Sequence, residues 1–113
     1  ILLSAAIVSI ILVLLLTYHP QDNQIPVSND QSITTNTNQD TKITLSATDK
    51  DKDDLTAAIV DKPTHGSLSS INQATGVVTY TPNPGFAGSD KFTFKVNDGK
   101  ADSNNGIVSI TVK

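Results

Sequence analysis

The stretch Gly88-Ser89-Asp90-Lys91-Phe92-Thr93-Phe94-Lys95-Val96-Asn97-Asp98-Gly99 decides how this chain folds. Phe92, Phe94 and Val96 alternate with Lys91, Thr93 and Lys95, so the apolar set lies on one side of an extended backbone and the polar set on the other. A period of two marks an antiparallel strand with one face on a core and one in water. Asp98-Gly99 closes it with a turn signal. Upstream, Thr64-His65-Gly66-Ser67-Leu68 reads as a turn into a brief strand. Gly76-Val77-Val78-Thr79-Tyr80-Thr81-Pro82-Asn83 reads as a strand running into a loop.

The same pattern extends in both directions. Ile43, Leu45 and Ala47 alternate with Lys42, Thr44, Ser46 and Thr48, and Leu55, Ala57 and Ile59 follow. Val108, Ile110 and Val112 alternate near the end. Lys62-Pro63, His65-Gly66, Ala74-Thr75-Gly76, Pro82-Asn83-Pro84-Gly85, Asp98-Gly99 and Asn105-Gly106 separate the runs as turns. With Ile33 and its flanking threonines as the first, this makes seven short strands, the signature of an all-β sandwich or barrel. Phe92, Phe94, Tyr80, Ile43, Leu45, Ile59, Val108 and Ile110 are the expected core. Phe86, between Gly85 and Gly88, is expected to plug one end of it.

The order and spacing of these stretches resemble the cadherin-like, immunoglobulin-like tandem repeat domains of prokaryotic surface proteins, over residues 27–113. The resemblance implies a seven-stranded immunoglobulin-like (cadherin-like) sandwich with a first strand near Gln31 to Thr35. It also implies an extracellular adhesive or spacer module rather than an enzyme.

Residues 1–16 differ from everything after them: Ile, Leu, Val and Ala with two serines, and no charge or proline. Such a run predicts an apolar α-helix, broken at Pro20 and bounded by Tyr18 and His19. Three roles fit it: a membrane anchor, a signal-peptide core, or the assembly helix of a pilin-like subunit. The last two fit less well, because no small-residue cleavage motif follows Leu16 and position 5 is Ala5 rather than an acid. The expected organisation is an apolar helix over 1–19, a polar linker over 20–30 and a sandwich over 31–113. Ile25 and Val27, alternating around Pro26, mark where a short edge segment begins.

Composition narrows the function. The chain has no Cys, so disulfides, thiolate metal sites and cysteine nucleophiles are excluded. All eleven acids are Asp and all eight bases are Lys, a net charge of −3 that gives nucleic acid no basic face. His19 and His65 are the only histidines and lack zinc spacing. There is no Gly-x-Ser-x-Gly elbow. A non-enzymatic protein is expected.

The one motif with chemical content is Asp49-Lys50-Asp51-Lys52-Asp53-Asp54. Short carboxylates at alternate positions converge on a hard cation if the segment closes into a tight loop. As an EF-hand it fails, with Asp54 where Gly is required and Val60 where a bidentate Glu is required. In the repeat family this place reads Asp-x-Asp-Gly-Asp-Pro, and here Lys52 and Asp54 stand for the Gly and the Pro. The resemblance therefore implies calcium on Asp49, Asp51 and Asp53. Asn97-Asp98 reads as a second acidic turn at the same end, with Asp98 a further candidate ligand, or as a plain Asp-Gly hairpin turn. The plain alternative is a solvated connection balanced by Lys50 and Lys52.

The reading is a cell-surface adhesion or spacer module, held at the membrane through residues 1–16 and open to other surface proteins. The alternative is a subunit of an extracellular pilus-like filament, joined to neighbouring copies through the apolar helix or an extended N-terminal strand.

Overall fold

The computed structural model describes residues 22–113, and the expected N-terminal helix lies outside the described residues. Nine strands follow in order: β1 Val27–Ser28, β2 Gln31–Thr35, β3 Thr41–Thr44, β4 Ala47–Thr48, β5 Thr56–Asp61, β6 Gly66–Leu68, β7 Val77–Pro82, β8 Gly88–Asn97 and β9 Gly106–Val112. Seven correspond to the strands read from the sequence, but the run Ile43 to Ala47, read as one strand, breaks after Thr44. Its end is the two-residue β4, which pairs with the equally short β1, the edge segment marked around Val27.

Two sheets face each other. One has the order β2-β9-β8-β5 and the other β3-β7-β6. All neighbours are antiparallel except β2 and β9, which run parallel over five pairs from Gln31↔Val108 to Thr35↔Val112. β8 is the longest strand at ten residues, and every second side chain from Asp90 to Asp98 is buried. Phe92, Phe94 and Val96 from β8 and Val108, Ile110 and Val112 from β9 pack against Ile43, Val78 and Tyr80 of the other sheet. Leu45 and Ile59, expected to be buried, are only partly so. Ile59 sits on the edge strand β5, and Leu45 follows the last residue of β3.

Two glycines that read as turns are the first residues of strands β6 and β9, where they make room for aromatic rings. A Cβ on Gly66 would stand 2.6 Å from the Tyr80 ring, and one on Gly106 2.7 Å from Phe94. Phe86 is half-buried against the core and stacks on His65 with ring centroids 4.4 Å apart. Its backbone carbonyl accepts from the Thr37 hydroxyl at 3.2 Å.

The segment 22–30, expected to be a linker, is docked on the sandwich. Pro26 and Ser28 are buried. Ser28 N–H donates to Asn104 Oδ1 at 2.9 Å, and Asn104 Nδ2 donates to Ser28 O at 3.0 Å. A single amide side chain thus supplies both partners that a neighbouring strand would give. Polar composition predicts solvation. It does not reveal which amides have a backbone to bind.

Candidate acidic site at one end of the sandwich

Three pieces of chain meet at the end where β8 finishes: the 49–55 connection after β4, the turn after Asn97, and residues 22–26. The 49–55 connection folds on Asp49. Its carboxylate accepts from the backbone N–H of Asp51 at 3.0 Å and of Asp53 at 3.2 Å. Its carbonyl accepts from Lys52 N–H at 3.0 Å. This closes the loop only because Lys52 takes a left-handed conformation, φ 56°. That conformation favours glycine, since a Cβ there crowds the following carbonyl. The position that reads Gly in the repeat family therefore has the backbone a Gly would adopt.

Asp49, Asp53 and Asp98 come together, each offering a carboxylate oxygen within 4.8 Å of the others. Asp51 does not join them, because its carboxylate accepts from Gln24 N–H at 2.7 Å and ties the N-terminal segment down. Asp98 is the most firmly placed. Its Oδ1 accepts from Lys100 and Ala101 N–H, both at 2.8 Å, and its Oδ2 from Asn23 Nδ2 at 2.9 Å. The Ala101 and Lys100 amides, then Asn23, hold its carboxyl below the usual carboxylate range. Asp53 moves the other way. Desolvation, then the charges of Asp49, Asp51 and Asp98, push its carboxyl up. The cluster thus holds more negative charge than it balances internally. Oxygen donors of this kind fit a hard divalent cation.

A second acidic group was not legible as a site residue. Asp90 lies one alternation before Phe92, so its side chain enters the core, where it is 7% exposed. Its carboxylate accepts from the Tyr80 hydroxyl at 2.7 Å and from the backbone N–H of Thr64 and His65, each at 3.1 Å. It pins the turn before β6 to the core. Burial, then the hydrogen bond and charge of Asp90, push the Tyr80 phenol well above its ordinary range. The signal available in sequence was the period itself, which continues from Val96 back to position 90.

The bacterial Ig domain family model matches residues 23–111. No curated protein matches the chain. Among solved structures, human protocadherin-24 EC1-2 is similar at a TM-score of 0.61 and 19% identity, over 81% of this chain and 44% of that one. The endo-fucoidan hydrolase MfFcnA9 from glycoside hydrolase family 107 gives 0.61 and 24%, over 84% of this chain and 17% of that one. Its relative MfFcnA4 gives 0.59 and 24%, over 85% of this chain and 14% of that one. The chain thus spans less than a fifth of either hydrolase. At these identities the likeness is one of fold.

Proposed function

The chain belongs to the bacterial Ig domain family, and from that premise we propose that it is a non-enzymatic spacer or adhesion module displayed on the cell surface. Domains of this family are typical of surface proteins. No helix among the described residues is long and apolar enough to cross a membrane, so the proposed anchor is the apolar run 1–16.

The observation that carries the reading is the parallel ladder between β2 and β9, the first and last long strands. Lys113 N–H donates to Thr35 O at 2.9 Å and Thr37 N–H to Lys113 O at 2.7 Å, extending the contact to the last residue. When the two ends are drawn apart, parallel strands slide along each other, and all rungs resist together. This suits a module that transmits load between an anchor and whatever lies beyond it. An adhesive contact would then be borne by the surface of the same load path.

Calcium at Asp49, Asp53 and Asp98 completes the proposal. A divalent ion there would neutralise the excess charge and fix the 49–55 connection against Asp98 and the N-terminal segment. Where it binds, it supplies rigidity at one end of the domain and no reaction chemistry.

Surface display is tested by labelling intact cells that produce the full chain with a membrane-impermeant lysine reagent. Lys42, Lys50, Lys62 and Lys91 are exposed and will label without lysis. Labelling that appears only after lysis would overturn the reading.

A further inference from the structure

Asn105-Gly106 reads as a turn, yet Gly106 is the first residue of β9 and pairs with Phe94 on the last rung of the β8–β9 ladder. Asn105 is exposed just outside that rung. An Asn followed by Gly is open to attack of the backbone on the side-chain amide, because no Cβ screens the glycine nitrogen. Whether it happens depends on what holds the two groups.

The described residues include nine asparagines. Seven have the side-chain amide in a hydrogen bond. Asn83 precedes Pro84, whose nitrogen carries no hydrogen to lose. Asn105 alone among the described residues combines an unbonded carboxamide with a following N–H. Asp98-Gly99, which could close the same ring from an acid, is held at both groups. Lys100 N–H, Ala101 N–H and Asn23 Nδ2 bind the carboxylate, and Gly99 N–H donates to Asn97 Oδ1 at 2.6 Å.

We propose that Asn105 is a site of spontaneous backbone modification, and that the change unlatches the N-terminal segment 22–30. The Gly106 nitrogen bonds to Asn105 Cγ as the Cγ–Nδ2 bond breaks. Its proton leaves with that nitrogen as ammonia, and a cyclic imide remains. Water then opens the ring at either carbonyl, leaving an aspartyl or an isoaspartyl residue at position 105. In the isoaspartyl form the chain runs through the former side chain and is one backbone atom longer. The Gly106 side has no slack, since a Cβ there would stand 2.7 Å from the Phe94 ring and 3.0 Å from Ser28 Cβ. The extra atom is therefore taken up at Asn104, whose amide holds both backbone groups of Ser28, at 2.9 and 3.0 Å. Shifting that amide frees β1 and the segment around it. The inference rests on the free carboxamide and the Asn104 clamp, and it stands whether or not the domain is displayed on a cell.

The test ages the full chain in mildly alkaline buffer. Peptide mapping by mass spectrometry, with isoaspartyl methyltransferase labelling, will find modification at Asn105 about tenfold or more above any other described asparagine, the factor that one retained hydrogen bond sets. In the aged protein the Ser28 N–H will exchange with solvent about tenfold faster, while the Val108 N–H stays protected. Asn104→Ala will show the same fast Ser28 exchange without ageing. Asn105→Gln, whose longer side chain does not close this ring, will keep Ser28 protected through the same ageing. Modification spread evenly over the asparagines would overturn the site. Isoaspartate at position 105 with Ser28 still protected, or equal loss of protection in aged Asn105→Gln, would overturn the latch. If Asn105→Gln does not fold by circular dichroism, Asn105→Ser, which has no carboxamide, decides. Retained Ser28 protection on ageing supports the latch, and its loss refutes it.

Discussion

Replacing Asp90 by Ala separates two ways a buried carboxylate can act in this core. The side chain is 7% exposed and accepts from Tyr80 Oη at 2.7 Å, from the backbone N–H of Thr64 and His65 at 3.1 Å each, and from that of Lys91 at 2.9 Å. Hydrogen bonds to a charged acceptor contribute about 1.5–3 kcal/mol each. Thr64, His65 and Lys91 are exposed and regain water when the carboxylate goes, so their loss is smaller. Tyr80 is fully buried and its hydroxyl keeps only a long contact to His65 O at 3.5 Å. Taking the upper range for Tyr80 and roughly 1 kcal/mol for the three amides together gives a loss of about 3–4 kcal/mol. That is a large part of a typical stability of about 5–15 kcal/mol. Tyr80→Phe should cost less, about 1.5–2 kcal/mol, because the carboxylate retains its amide donors. The pair should then be non-additive by roughly 0.5–3 kcal/mol in a double-mutant cycle, as contacting residues are. Urea melts of the four proteins measure all three quantities. A loss below about 1 kcal/mol for Asp90→Ala, against the range above, would show that the carboxylate costs as much to bury as its partners return.

The remaining expectations are independent of that network or bear on one of its members. Phe94→Ala should lose about 3–5 kcal/mol in urea melts, as a large core truncation does. The raised Tyr80 pKa predicts stability that is fully present below the ordinary tyrosine pKa of about 10 and lost as pH rises above it; an alkaline melting series on the Tyr80→Phe protein should lack that component. Lys52→Gly should raise stability by about 1 kcal/mol, since the left-handed backbone at 52 then costs no Cβ strain; a decrease in the urea midpoint would contradict the loop geometry. Asp53 is charged at neutral pH in a site that pushes its pKa up, so Asp53→Asn should raise the melting temperature in chelator. The same substitution should reduce the stabilisation by 10 mM calcium, at most about 2.7 kcal/mol for a site saturated at a hundred times its dissociation constant. Identical melting of the parent chain in chelator and in calcium would remove the metal from the proposal.

Most of the sandwich was legible because its strands follow a strict period of two. Phe92, Phe94, Val96, Val108 and Ile110 fall where alternation puts them. The short edge segment near Val27 was marked by Ile25 and Val27 around Pro26, but its pairing with β4 was not legible, because the run Ile43 to Ala47 reads as one strand and breaks after Thr44. Gly66 and Gly106 read as turns because a glycine that yields to a ring looks the same in sequence as one that bends a backbone. At the acidic end, the Asp49 and Asp53 spacing carried the loop, while the diversion of Asp51 to Gln24 N–H depended on a long-range contact. Asp90 was hidden by its type, because a charged residue at an inward position reads as the end of a strand until Tyr80 is placed beside it.

Single-molecule pulling on the β2–β9 ladder tests most directly whether this domain is built to carry load. Drawn through its two ends, the chain loads five parallel pairs at once. Drawn through Gly88 and Val112, which face each other across one rung of the β8–β9 ladder, it opens rung by rung. The end-to-end geometry should unfold at the clearly higher force at the same loading rate. Equal forces in the two geometries, or a weaker end-to-end response, would contradict the load-bearing role.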